Sequence, residues 1–372
     1  CIHVYTYLIF AILRHRARGM PWYRHFYKGG NHIMMKKLLS LLLTALLVVG
    51  MVGCAQQAEA PAEAPAAEGE AAAEGGLATL QRLLMVTGGD AGTYYALGGV
   101  LANVLTESVN NLEITATTSG ASAANARSLN NGEAELAILQ NDVLGYAYEG
   151  IDSMAEDGAM PKLRAIAGMY PEVIQLVALK SSNINTIADL KGKKVCVGDA
   201  GSGSEVNAKQ ILEAAGLSYD DFDVQYLSFS DASTAMQNGT VDAAFATSAL
   251  PNTAIVELAN TTEIVVVPID GATADALIEA HPFYARTTIG ADVYGAQEAE
   301  SVAIIATLAC TEDLDEEVVY QITKAMFEQK DALAASHARG NDLDINKVAD
   351  GITIPFHPGA IRYYQEQGIT VE

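Results

Sequence analysis

From Leu83 onward, short runs rich in Val, Ile, Leu and Ala alternate with stretches of helical spacing, and this alternation constrains the fold more than any other feature. The strand-like runs are RLLMVT, LEITATT, AELAILQ, LRAIAG, EVIQLVAL, KKVCVGD, DVQYLS, VDAAFA, EIVVVP and SVAIIATLA. Between most of them lie helical stretches such as TYYALGGVLANVLTES and SEVNAKQILEAAGL. Such a beat predicts an α/β fold with largely parallel sheets, because parallel neighbours need a crossover long enough to hold a helix. Two final helical stretches, EEVVYQITKAMFEQKDALAA and HPGAIRYYQEQG, break the beat and must pack on a sheet already built.

Two units share one plan. LEITATTSGASAANARSLNNGEAELAIL and VQYLSFSDASTAMQNGTVDAAFAT each run strand, polar turn, helix closed by Asn-Gly, strand. This similarity predicts two lobes, each placing a polar turn at the carboxyl end of a strand, where open α/β sheets hold their ligands.

The segment MMKKLLSLLLTALLVVGMVGC has two lysines, an apolar run and small residues before a cysteine, the layout of a secretory signal. It resembles a bacterial lipoprotein signal, with Cys54 as the lipidated residue and Met51 standing where the pattern usually has Leu. Leu38 to Val52 is short for a retained span, which needs about 20 residues. Residues 1–33 read as upstream of the true start at Met34 or Met35, 34–53 as the signal peptide, and 54–76 as a disordered Ala/Glu/Pro tether. Seven of the 22 Lys and Arg precede Cys54 and no acid does, so the remainder carries 15 bases against 45 acids. So acidic a chain argues against a nucleic-acid partner, which would be held by clusters of Lys and Arg. Cys196 and Cys310 sit in apolar runs, as buried free thiols or as one disulfide.

Several chemistries fail on spacing. GDAGSGSE offers a phosphate-loop outline, but Ser204 stands where that loop needs Lys, and TGGDAGTYY lacks the GxGxxG spacing of a dinucleotide fold. Ser119, Ser202 and Ser204 lack the GxSxG elbow of a nucleophile. His281 and His357 precede Pro, as turn or helix-start residues do, and no His/Cys/carboxylate spacing suggests a metal. No enzyme activity and no cofactor are therefore expected. What remains is a set of small hydroxyls at helix starts: Thr93 with Tyr94, Ser119 with Ser122, Ser202 with Ser204, and Thr247 with Ser248. Each alone could be a helix cap. Together, drawn from two lobes, they match a carboxylate grip in which N–H groups and helix dipoles attract and hydroxyls direct. Gln140 could read a ligand's polar end or cap the next helix, and Arg127 reads as a surface charge.

TGGDAGTYY, TTSGASAANARSLNNGEAELAILQND, DLKGKKVCVGDAGSGSE, NGTVDAAFAT and FHPGAIRYYQEQG, in this order, resemble the TAXI family of TRAP-associated extracytoplasmic solute receptors. The likeness runs from about Leu83 to Gly368. One departure is Ile289-Gly290-Ala291-Asp292-Val293-Tyr294, where the family often has Ile-Pro-Ala-Gly-Thr-Tyr. The resemblance implies a type II periplasmic-binding-protein fold, with lobe one formed by 77–175 and 284–372, lobe two by 176–283, and hinges near Ala178 and after His281. It implies an extracytoplasmic, membrane-anchored receptor that captures a small carboxylate such as glutamate, glutamine or 2-oxoglutarate and passes it to a TRAP-type permease driven by an ion gradient. The ligand-binding residues it implies are Thr93, Tyr94, Ser119, Gln140, Ser202, Ser204, Thr247 and Tyr294. A receptor of the same fold serving an ATP-driven importer or a sensor kinase is the alternative. A cytosolic regulator and a hydroxymethylbilane-like transferase are opposed by the signal and by Cys196 lying inside a strand.

Overall fold

The computed structural model describes residues 76–372, so the expectations for 1–75, Cys54 among them, lie outside the described residues. In chain order the elements are β1 (Gly76–Val86), α1 (Thr93–Ser108), β2 (Asn110–Thr117), α2 (Ser122–Asn130), β3 (Leu136–Gln140), α3 (Asn141–Glu149) and β4 (Leu163–Leu179). Then come β5 (Lys194–Cys196), α4 (Gly203–Ala214), β6 (Asp223–Gln225), α5 (Phe229–Gln237), β7 (Ala243–Ser248), α6 (Thr253–Thr261), β8 (Ile264–Val267), α7 (Gly271–Ala280), β9 (Ala285–Ile289) and α8 (Ala291–Tyr294). The chain closes with β10 (Ala299–Thr311), α9 (Glu316–Glu328), α10 (Lys330–Ser336) and α11 (Pro358–Glu366).

The strands join in the order β2-β1-β3-β10-β4-β7-β5-β6, with β8 on β4 and β9 on β10. β1, β2 and β3 are parallel to one another, as are β5, β6 and β7. The long strands β4 and β10 run antiparallel to each other and to their neighbours β7 and β3. Parallel triplets on either side of a shared antiparallel pair make the two-lobed α/β, periplasmic-binding-protein arrangement.

The runs LRAIAG and EVIQLVAL are one strand, not two. Pro171 suggests a break between them, yet β4 passes straight through it, with Pro171 exposed and paired with Ile305 of β10. The β4–β10 register slips at Ala306/Thr307 and again at Leu308/Ala309. Such bulges bend a ladder locally.

Packing shows where the chain changes lobe. One core holds Met85, Leu136, Ile138 and Tyr170 together with Ala306, Leu308, Ile322 and Tyr364. Two others cover the faces of the second lobe, one with Ile174, Leu176, Ile211, Phe245 and Ile304, the other with Val173, Val177, Met236 and Ala303. The cores therefore change over at 170–173 in β4 and 304–306 in β10, away from the expected boundaries at 175/176 and 283/284. Residues 284–304 belong with lobe two, because Tyr284, Ile289, Tyr294 and Val302 are buried in its cores and β9 pairs with the near half of β10. Val206 and Ala249, from lobe-two elements, are buried in the lobe-one core, so the lobes are in contact.

Small residues permit the close approaches around the cleft. A Cβ on Gly98 of α1 would lie 2.6 Å from Cγ2 of Thr87, and one on Gly203 would lie 2.1 Å from the side-chain amide of Gln140. Cys196 and Cys310 are both free and buried, in different cores, so the disulfide does not form.

Candidate ligand-binding site

The carboxyl ends of β1, β2 and β3 from one lobe and of β5, β6 and β7 from the other converge on one cavity of about 50 Å³. Glu172 of β4 completes its wall. Six of the eight residues expected from the sequence line it: Thr93, Tyr94, Gln140, Ser202, Ser204 and Thr247.

Local geometry explains their roles. The starts of α1 and α2, at Gly92 and Ala121, carry no side-chain cap, so among the described residues no side chain occupies the first-turn N–H groups there. Ser202 does cap its helix, accepting from the Glu205 N–H at 3.2 Å, so this hydroxyl serves the helix and the cavity wall at once. Ser204 Oγ accepts from the Thr247 N–H at 3.0 Å, and Thr247 Oγ1 donates to Asn207 Oδ1 at 2.9 Å. Gln140 makes no cap bond at the start of α3. With Nε2 turned toward lobe two it donates to the Gly203 carbonyl at 3.3 Å and to Asp142 Oδ1 at 3.2 Å.

Ser119 and Tyr294, the other two, do not line the cavity. Ser119 Oγ donates to Asn125 Oδ1 at 2.6 Å and accepts from the Ala121 N–H at 3.1 Å. Asn125 in turn donates to the carbonyls of Thr87 and Ile138. This brace holds Ala121 at φ 63°, a conformation that L residues avoid, and brings Ser122 to the wall instead. Tyr294 lies behind the opposite wall, where its hydroxyl accepts from the Asn252 N–H at 2.7 Å and donates to Gln175. The Gly290 and Asp292 departures belong to that same outer turn. Arg127 pairs with Asp157 at 2.7 and 2.8 Å, as a surface charge. His357 is structural, with Nδ1 accepting from the Gly359 N–H at the start of α11.

The acids were not legible in advance. Among the described residues, Glu172, Asp90 and Asp199 line the cavity and no Lys, Arg or His does. Glu172 is 1% exposed, and Tyr94 Oη donates to its carboxyl. Burial pushes Glu172 up to about 8, with the nearby Asp142 charge adding and the Tyr94 bond opposing. Behind Gln140, Asp142 is fully buried and pushed up to about 7 by the same loss of water, partly offset by bonds from the Val143 N–H and Asn207.

A polar network ties the lobes together beside the cavity. Asn207 and Gln210 of α4 face Asp142 and Tyr146 of α3: Asn207 Nδ2 donates to Asp142 Oδ2 at 2.8 Å, and Gln210 Nε2 to Tyr146 Oη at 3.0 Å. Tyr284 joins them, donating to Gln210 Oε1 at 2.6 Å. These bonds favour the arrangement in which the two lobes are in contact.

A family model described as the NMT1-like family matches residues 85–368. The chain belongs to the NMT1-like family. Over 73 residues this NMT1-like chain is 40% identical to an Escherichia coli (strain K12) protein named as aliphatic sulfonates-binding; the stretch is 20% of this chain and 23% of that protein. It is also similar to the solved periplasmic aliphatic sulphonate binding protein SsuA from Escherichia coli, at 19% identity and TM-score 0.45, covering 77% of this chain and 84% of that one. SsuA from Xanthomonas axonopodis pv. citri, solved with MOPS, is 18% identical at TM-score 0.44, covering 78% and 85%. An L-cystine ABC transporter protein from Listeria monocytogenes is 17% identical at TM-score 0.43, covering 69% and 94%.

Proposed function

We propose that this NMT1-like chain is an extracytoplasmic solute receptor, which closes its two lobes on a small molecule with an anionic group and hands it to a membrane importer. The observation that carries this reading is the cavity itself. Strand ends from both lobes wall it, and two of its helix starts, at Gly92 and Ala121, lack side-chain caps. Backbone N–H groups at such starts attract an anion, and the hydroxyls of Thr93, Ser122, Ser202 and Ser204 supply direction. A carboxylate and a sulfonate both suit this grip. The receptor holds its solute without transforming it, and Cys54 would anchor it by a lipid outside the cytoplasmic membrane.

For the importer, an ATP-driven permease is the first reading, in line with the transporter class named for the Listeria protein. A TRAP-type permease driven by an ion gradient is the second, favoured by the ordered run of TAXI-like motifs from TGGDAGTYY to FHPGAIRYYQEQG.

Thermal unfolding of the full chain against a panel of carboxylates, sulfonates and amino acids tests the receptor reading. A tight solute raises the midpoint by mass action, about 2.7 kcal/mol of added stability at a hundredfold excess over Kd. A panel without a single shift would overturn it.

A further inference from the structure

Among the described residues the wall of the cavity is unbalanced in charge, with three carboxyl groups and no basic side chain. Two of the acids differ from the third in placement. Asp90 is exposed, and Asp199 is half-buried with Asp231 beyond it. Glu172 is 1% exposed and sits on β4, where the chain crosses between lobes. Among the described residues, its carboxyl takes one hydrogen bond, from Tyr94, and leaves the other oxygen without a protein partner at the cavity wall.

Burying a carboxyl beside a ligand cavity is costly unless something compensates it. Among the described residues no cation lines the cavity to do so: Arg127 is committed to Asp157, Arg339, whose charge reaches Tyr170, is committed to Asp342, and the titratable groups acting on Glu172 are Tyr94 from α1, Tyr170 from β4 and Asp142 from α3, none of them basic. The helix starts at Gly92 and Ala121 offer a place for negative charge, and Glu172 offers the complementary place for positive charge.

Resting on the receptor reading above, we infer that Glu172 is a specificity-determining residue: it seats a protonated nitrogen of the ligand, so the cavity takes a small zwitterion and rejects the matching molecule that lacks the nitrogen. The class includes 2-amino acids and aminosulfonates. It disfavours 2-oxo acids, 2-hydroxy acids and simple alkanesulfonates, which bring no positive charge to pair with a Glu172 carboxylate. A further consequence is proton release. Burial holds the Glu172 carboxyl above its ordinary range, and a cation placed against it favours the carboxylate, so proton is released to solvent as the ligand binds.

The test is calorimetric titration of the full chain with matched pairs: each common L-amino acid against its 2-oxo and 2-hydroxy counterparts, and taurine against ethanesulfonate. Binding by a nitrogen-bearing member, at least about tenfold tighter than its counterpart, is expected. Repeating that titration at pH 7 in two buffers of different ionisation heat should show net proton release. Glu172→Gln should lose the discrimination and the proton release together, and the wild-type buffer comparison stands even if that variant folds poorly. Equal or tighter binding of the nitrogen-free member, or binding without proton release, overturns the inference and leaves the receptor reading intact. No binding in either series overturns both.

Discussion

Asn207 reaches across the cleft from α4 and donates from Nδ2 to Asp142 Oδ2 at 2.8 Å, binding one lobe to the other through a buried carboxyl. The same amide donates to Tyr284 Oη, and its oxygen accepts from Thr247 at the cavity wall. Replacing Asn207 with Ala strips partners from three buried groups at once. We expect stability to fall by about 1–3 kcal/mol and the lobes to part in solution. Urea unfolding checks the first and small-angle scattering the second; an unchanged radius of gyration would show that the network does not hold the lobes.

Gly203 is where closure is tightest, since a Cβ there would collide with the Gln140 side chain. Gly203→Ala should therefore oppose the closed form at a cost of about 1–3 kcal/mol. The expected result is ligand affinity weakened roughly tenfold or more by titration, with lobe-two stability unchanged. Wild-type affinity in this variant would mean that Gln140 moves aside freely.

Ser202 and Ser204 separate two kinds of loss. Ser202→Ala removes a helix cap and should cost about 1 kcal/mol of stability as well as ligand affinity. Ser204→Ala leaves the buried Thr247 N–H without its acceptor, a cost of about 1–3 kcal/mol. Chemical denaturation and ligand titration of both variants measure the two effects; wild-type affinity in both would remove these hydroxyls from the ligand grip.

Tyr294→Phe tests a residue that the motif places in the site and the fold places behind it. Loss of the hydroxyl orphans the Asn252 N–H and Gln175 Oε1. Stability should drop by about 1–3 kcal/mol with ligand affinity within a few-fold of wild type. A large loss of affinity at unchanged stability would return Tyr294 to the ligand.

Glu172 and Asp142 also set a pH dependence. Both carboxyls are held above their ordinary values, to about 8 and about 7, so between pH 4 and these values the folded chain keeps protons that the unfolded chain has lost. Their contribution to stability is present below the ordinary carboxyl range and disappears as pH rises through about 7 and 8. The melting midpoint of the full chain should fall between pH 5 and 8.5, and the Glu172→Gln, Asp142→Asn double variant should flatten that slope. Identical slopes in calorimetric scans would rule the two groups out.

The strand runs and the hydroxyl-bearing turns were legible because each rests on local pattern: apolar spacing for the strands, strand-to-helix position for Thr93, Ser202 and Thr247. Glu172 was not, since in EVIQLVAL it reads as the polar edge of a strand, and only the continuation of β4 through Pro171 carries it to the cavity. The exclusion of Ser119 depends on Asn125 bracing the turn from within the core, and that of Tyr294 on β9 returning residues 284–304 to lobe two. These are long-range pairings, which no local spacing encodes.

Because the chain leaves the first lobe at 170–173 and returns only at 304–306, β3 meets its antiparallel partner β10 after the whole second lobe has been made. Until then the buried strand LAILQ presents an open, apolar edge. Emerging from the ribosome, the second lobe can complete itself while the first waits, and the interval is one in which an unpaired strand invites wrong partners. The lobe that is synthesised first is thus the one exposed to mispairing, not the one synthesised later.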